Sequence, residues 1–130
     1  MSSKDVIVTD KAPAAIGPYS QAIVVNGVVY TAGVIPLDPE TKEIAGADIR
    51  SQAERVLTSL SGLLEAAGSS LDRVVKTTCF LQDLNDFPAF NEVYATYFGG
   101  DAAPARSTVQ VAKLPMGVLV EVEAVAVVNG

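Results

Sequence analysis

Histidine is absent from the 130 residues of this sequence, and its absence excludes several kinds of active site. Ser-His and Cys-His nucleophiles, zinc sites built on histidine and paired-histidine ribonuclease chemistry all need an imidazole. Any acid–base step therefore falls to carboxylates, tyrosine, lysine or water.

Cysteine occurs once, as Cys79. A single cysteine cannot form an intrachain disulfide or a paired-cysteine metal or redox motif, which fits a reducing cytosol. Cys79 alternates with Val75, Thr77 and Leu81 in a strand-like segment. This pattern favours a small core residue over a nucleophile.

Basic residues are few and long apolar runs are missing. Nine Lys and Arg against fifteen Asp and Glu give a net charge of -6, whereas binding a phosphate backbone needs clustered cations. No segment approaches the ~20 apolar residues of a membrane span, and the first residues lack the pattern of a signal peptide. We expect a soluble cytoplasmic protein without nucleic-acid or membrane partners.

Apolar residues, in contrast, are abundant. They make up 49% of the chain and charged residues only 18%, which is more apolar material than a lone domain of this size needs. The sequence has no internal repeat, linker or low-complexity tract, so residues 1–130 are expected to form one domain. Part of its apolar surface is expected to face another subunit.

Periodic segments predict two helices. Apolar positions at the spacing of one helix face predict a helix that begins at Ile49 after the N-cap Asp48 and stops at Gly68. A second helix is predicted over Phe87–Phe98 with Asp86 as its N-cap. Its predicted buried stripe is Phe90, Val93, Tyr94 and Tyr97.

Other segments predict strands. Asn26-Gly27 between two apolar runs predicts a hairpin over residues 23–30, and further strands are predicted over 74–81, 106–113 and 118–128. The last strand is apolar on both faces, interrupted by Glu121 and Glu123. Two helices can cover only one face of the sheet, so self-association is expected to bury the other.

The turn 114–117 predicts that the last two strands pair as a hairpin. With an even loop, Gln110 opposes Glu121. A group of polar side chains then shares one face: Arg106, Thr108, Gln110, Glu121 and Glu123. This arrangement is either a functional site or cross-strand ion pairing on a solvated face, and an odd loop would separate the two strands' side chains.

Four segments resemble one known family in order and spacing: APAAIGPYSQA, YTAGVIP, VVKTTCFLQDLNDF and PARSTVQVAKLPMGVLVEVEAVAV. Together they are similar to the RidA (YjgF) family, and several motifs are far more specific than one. The resemblance implies an α+β, chorismate-mutase-like fold: a mostly antiparallel sheet of about six strands, two helices on one face, and a homotrimer with clefts between subunits. It also implies hydrolysis of 2-imino and 2-enamino acids to 2-keto acids and ammonia, without metal or organic cofactor.

The resemblance assigns two charged residues. Arg106 corresponds to the family's substrate-carboxylate arginine, and its planar guanidinium suits bidentate binding. The alternative for Arg106 is a surface ion pair. Glu121 corresponds to the catalytic carboxylate that holds or activates water, which leaves Glu123 a structural role.

Three further residues match the family's site. Tyr19 matches a tyrosine that hydrogen-bonds the substrate; the alternative is a packed aromatic residue. Gly33 matches a position where the substrate approaches the backbone closely; the alternative is a glycine that simply ends a strand. Asn91 lies on the second helix in line with Phe87, Tyr94 and Phe98. It matches an asparagine of the family's cleft; the alternative is an amide on the helix surface.

Three positions depart from the family's common residues. Thr108 stands where many bacterial members have cysteine, so no thiol is required, although the hydroxyl could orient water or substrate. Ala32 and Val34 replace serine and glutamine, which predicts a less polar pocket. These changes leave room for a metabolite-binding or regulatory trimer as an alternative to the enzyme. The acidic charge and missing histidine disfavour ribonuclease or translation-inhibitor activity.

Overall fold

A computed structural model describes residues 3–129 of the chain. It contains six strands and two α-helices: β1 Asp5–Ile7, β2 Ala22–Val25, β3 Val28–Thr31, α1 Ile49–Ala66, β4 Val74–Leu81, α2 Phe87–Phe98, β5 Ala105–Gln110 and β6 Val120–Val127. Short 3-10 turns cover Leu71–Arg73, Leu84–Asp86 and Pro115–Gly117. No helix in the described part is long and apolar enough to cross a membrane.

Both predicted helices form where the sequence indicated. The Asp48 side chain accepts a hydrogen bond from the Ser51 amide and caps α1, while Gly68 adopts a positive φ of 81° just beyond its end. Asp86 precedes α2 but makes no capping bond through its side chain, because it lies in a 3-10 turn. In the buried stripe of α2, Phe98 takes the place predicted for Tyr97, which is only half-buried.

The strands form one sheet in the order β1-β2-β3-β6-β4-β5. The hairpin of β2 and β3 is present, with Asn26 and Gly27 both at positive φ. Strand β1 at the edge was not predicted, because three residues are too few to show a periodic pattern. All neighbouring strands are antiparallel except β4 and β5, which are parallel.

The predicted closing hairpin is wrong. Strand β5 pairs with β4, whereas β6 lies between β3 and β4. Helix α2 connects β4 to β5 and returns the chain to its starting end, so β5 runs parallel to β4 as in a β-α-β unit. The polar and short β5 suits an edge, while the doubly apolar β6 suits the centre.

The helices cover one face of the sheet. That face presents buried side chains of β6, and α1 packs a buried row onto it: Ala53, Val56, Leu57, Leu60, Leu63 and Leu64. Burying each of these leucines contributes roughly 1.5 to 3 kcal/mol. The α+β arrangement with two helices on one face is therefore confirmed.

Within residues 3–129, no helix covers the opposite face of the sheet, which we call the open face. Tyr30, Val75 and Val109 are 47%, 50% and 41% exposed, and Val125 and Val127 are half-buried beside them. The prediction that the last strand is apolar on both faces is confirmed, because buried and half-buried residues alternate along β6. Exposed apolar patches are common where proteins associate, and Glu121 and Glu123 are the acidic residues of β6 on this face.

Candidate functional site

Glu121 lies on the open face with its carboxylate against Gly33. The pairing of Val34 with Val122, through amide–carbonyl bonds of 2.8 and 3.1 Å, brings the segment after β3 alongside β6. A Cβ at position 33 would come 2.7 Å from the carboxylate carbon of Glu121 and collide with its oxygen. The close approach of carboxylate and backbone therefore requires glycine at this position.

The Glu121 carboxylate has unusual surroundings. It is half-buried and makes no hydrogen bond or ion pair with the described residues 3–129. Burial raises its pKa, and repulsion from Glu123, on the same face of the strand, raises it further. A raised pKa makes the carboxylate a stronger base toward the proton of a water molecule.

Tyr19 and Gly33 both line a cavity of about 210 Å³. Tyr19 is 51% exposed, and its hydroxyl accepts a hydrogen bond of 3.5 Å from the Ile16 amide. The walls are mostly apolar and include Pro13, Ile16, Ala32, Val34, Ile35 and Met116. We call Tyr19, Gly33 and Glu121 the glutamate cluster.

Arg106 lies on the helix-covered face of β5. Its Nη1 donates a 2.8 Å hydrogen bond to Oδ1 of Asn91 on α2, and its guanidinium carbon lies 4.5 Å from the ring centre of Tyr94 and 5.2 Å from that of Phe87. The other guanidinium N–H groups make no hydrogen bond with residues 3–129, so they are available to an anion. Arg106 and Asn91 also line a second cavity, of about 360 Å³.

Thr108 lies two residues after Arg106 on the same face of β5. Its buried hydroxyl oxygen has no hydrogen-bond partner among the described residues. We call Arg106, Asn91 and Thr108 the arginine cluster. Thr108 pairs with Cys79 of β4, a fully buried thiol whose pKa burial raises to about 11. Cys79 is therefore the core residue that the sequence predicted.

The charged residues of the two clusters, Arg106 and Glu121, lie on opposite faces of the sheet. Register across β4 aligns Arg106 with Thr77 and Ala124, both buried under the helices, whereas Glu121 aligns with Phe80 on the open face. The expectation that Arg106, Thr108 and Gln110 share a face with Glu121 and Glu123 is wrong. It rested on the closing hairpin, and Gln110 opposes Leu81 instead of Glu121. Strand β4 also separates β5 from β6 by about 10 Å, two strand spacings.

Comparison with known proteins decides the family. The sequence model described as endoribonuclease L-PSP matches residues 9–128. A RutC family protein of Pyrococcus abyssi is 54% identical, over 95% of this chain and 97% of that protein. The chain belongs to the RidA family, as its motifs predicted.

Two other RidA relatives have informative names. The 2-iminobutanoate/2-iminopropanoate deaminase of mouse is 48% identical, over 95% of this chain and 91% of that protein. The crystal structure of E. coli TdcF with bound serine superposes with a TM-score of 0.90 at 45% identity, covering 96% of this chain and 99% of that one. Names within the family thus include a deaminase.

Sequence reasoning missed the aromatic partners of Arg106. The helix pattern puts Phe87 and Tyr94 in line with Asn91, and Tyr94 also in the buried stripe, but it does not predict their contact with the arginine. Helix α2 packs over the face of β5 that carries Arg106. The line of residues on α2 that includes Asn91 could therefore have indicated which side chains lie near the arginine. The described residues hold no group of three or more Cys, Asp or Glu able to bind a metal ion.

Proposed function

We propose that this chain is a homotrimeric deaminase that hydrolyses 2-imino and 2-enamino acids to 2-keto acids and ammonia. The observation that carries the proposal is the unpaired, half-buried Glu121 carboxylate with a raised pKa, held against a glycine. The deaminase name of the 48% identical mouse relative supports this choice of reaction. No metal or organic cofactor takes part in the proposed reaction.

Glu121 acts as the proton acceptor in this reaction. An enamine substrate first gains a proton on carbon, which gives the protonated imine. The oxygen of a water molecule then bonds to the imine carbon while its proton passes to Glu121. Glu121 returns this proton to the nitrogen of the resulting carbinolamine, the C–N bond breaks with its electron pair on nitrogen, and the hydroxyl proton is lost to water as the keto group forms. One water is consumed and one ammonia is released.

Arg106 binds the substrate carboxylate. Asn91 occupies one N–H of the guanidinium, which leaves two neighbouring donors for two carboxylate oxygens. The Tyr19 hydroxyl hydrogen-bonds the substrate or the leaving amine. Thr108 orients water or substrate from beside Arg106.

The site requires two subunits. Because Arg106 and Glu121 lie on opposite faces of one sheet, we propose that the arginine cluster of one subunit meets the glutamate cluster of its neighbour. The apolar open face supplies a surface for this association. A cytoplasmic location, with neither membrane nor nucleic acid as partner, is part of the same proposal.

A coupled assay tests the reaction. A PLP-dependent serine dehydratase generates 2-aminoacrylate, and its disappearance is followed with and without this protein. The parent is expected to accelerate the loss and release pyruvate, whereas Glu121→Gln is expected to lose nearly all acceleration. Glu123→Gln is the matched control: it removes the neighbouring carboxylate on the same face and should keep turnover. Equal rates with parent, Glu121→Gln and no protein would refute the proposal.

A non-catalytic metabolite-binding trimer is the second candidate. The mostly apolar cavity beside Ala32 and Val34, and the serine in the E. coli TdcF structure, favour a role in holding small molecules. Tight binding of 2-ketobutyrate without any turnover of 2-aminoacrylate would select this candidate. RNA cleavage, named in the family description, is disfavoured by the net charge of -6 and the absence of histidine.

A further inference from the structure

The guanidinium of Arg106 lies against two aromatic rings of α2. The ring centre of Tyr94 is 4.5 Å from its central carbon and that of Phe87 is 5.2 Å away. Both distances fall within the range of a cation–π interaction, which favours guanidinium groups stacked on ring faces. The Asn91 bond holds one edge of the same group.

Tyr94 is itself anchored from the sheet. It is 6% exposed, and its hydroxyl lies 2.8 Å from Oγ1 of Thr77, a fully buried residue of β4. Thr77 is also the residue directly paired with Arg106 across the two parallel strands. The phenol ring therefore spans from the strand next to Arg106 to the helix above it, and its position is fixed at both ends.

We propose that Tyr94 and Phe87 are positioning residues that fix the plane of the Arg106 guanidinium for carboxylate binding. An arginine side chain loses several rotamers when it binds in one geometry, and a bidentate bond needs the guanidinium and carboxylate to be coplanar. The two rings and Asn91 restrict this freedom before the ligand arrives, which lowers the cost of binding. This inference rests on the proposed role of Arg106, and it concerns binding of the carboxylate rather than the chemical step.

Substitutions of the two rings test the inference. Tyr94→Leu is expected to weaken binding of 2-ketobutyrate roughly 5- to 30-fold with little change in kcat, since a partly desolvated cation–π contact is lost. Tyr94→Phe keeps the ring and should restore affinity to within about twofold. Phe87→Leu removes the second, less buried ring and should weaken binding roughly 2- to 10-fold, so it keeps the inference testable if Tyr94→Leu fails to fold.

Phe90→Leu is the matched control. Phe90 is a fully buried aromatic residue of the same helix, 5.7 Å from the Tyr94 ring, and has no contact with the Arg106 guanidinium among the residues described. It should lower the unfolding temperature as Tyr94→Leu does, yet leave the affinity for 2-ketobutyrate close to that of the parent. Equal loss of affinity in Tyr94→Leu and Phe90→Leu, or no loss in either Tyr94→Leu or Phe87→Leu, would overturn the inference.

A spectroscopic measurement separates this inference from the proposed function. The NMR signal of the Arg106 Nε–H, assigned by its absence in Arg106→Lys, should show a ring-current shift in the parent. The shift should persist in Phe90→Leu and largely vanish in Tyr94→Leu. If the parent fails to turn over 2-aminoacrylate, the proposed function fails while this measurement still tests the stacking. If turnover is present and the shift is absent, the positioning role fails alone.

Discussion

The proposed binding of the substrate carboxylate by Arg106 depends on the planar shape of the guanidinium as well as on its charge. We predict that Arg106→Lys lowers kcat/KM for 2-aminoacrylate even though the positive charge is kept, because one ammonium cannot make two parallel bonds to a carboxylate. Loss of about 1.5 to 3 kcal/mol corresponds to roughly a 10- to 150-fold decrease. Steady-state kinetics checks this. Arg50→Lys, at an exposed arginine paired with Glu92, is the control and should match the parent.

Glu121 should contribute to turnover and not to binding. We predict that Glu121→Gln binds 2-ketobutyrate almost as tightly as the parent while losing turnover, because the amide keeps the shape but cannot accept a proton from water. Calorimetric titration together with the 2-aminoacrylate assay measures both properties. Parent-like turnover in this variant would assign the chemistry to another residue.

The raised pKa of Glu121 also has a consequence for stability. Because folding raises this pKa, the folded state binds more protons than the unfolded state between the two pKa values, and stability falls as pH rises through that window. Glu121→Gln should therefore be more stable than the parent at pH 7 and no longer so below the ordinary glutamate pKa of about 4.3. Thermal unfolding at both pH values checks the sign. A variant less stable than the parent at pH 7 would contradict the assigned surroundings.

Cys79 lies on strand β4 and points into the core, so its replacement should affect stability rather than turnover. We predict that Cys79→Ser keeps turnover and costs about 1 to 3 kcal/mol of unfolding free energy, because a more polar hydroxyl replaces a thiol packed in the core. Urea unfolding and the 2-aminoacrylate assay measure the two effects. Cys79→Ala is the control for lost volume. A folded Cys79→Ser protein without activity would show that the thiol takes part in the reaction.

At the scale of helices, strands and turns, the features predicted correctly are those that depend on residues close together in the sequence. The cap at Asp48, the glycine at 68 and the Asn26-Gly27 turn act over a few residues, and each appears where expected. The placement of β5 and β6 depends on contacts far apart in the chain. The turn at residues 114–117 resembles a hairpin loop, and no local signal records that α2 brings β5 beside β4.

Part of the candidate site could also be predicted from the sequence. Resemblance to the family's motifs selected Gly33 and Glu121 as candidate site residues, and the structure places them in contact. Alternation within β5 placed Arg106 and Thr108 on one face, as the structure has them. Their separation from Glu121 was not predictable, since which face a strand presents depends on its partners in the sheet.

At the scale of the molecule, the residues that the structure describes leave one face of the sheet uncovered. We predict that the protein is a trimer at micromolar concentration, because the apolar open face is extensive and the two halves of the proposed site cannot meet within one chain. Light scattering after size exclusion measures the mass. A measured mass of 13.5 kDa, that of a monomer, would contradict both the trimer and the shared site.

The most direct test of the shared site is complementation between two inactive variants. Arg106→Ala and Glu121→Gln are each expected to lose most activity alone. When equal amounts are unfolded and refolded together, about one interface in four joins an intact arginine to an intact glutamate by chance. Activity should then rise to about a quarter of that of the parent treated in the same way. Mixed trimers, verified by mass, that are no more active than the two variants refolded separately would contradict a site built from two subunits.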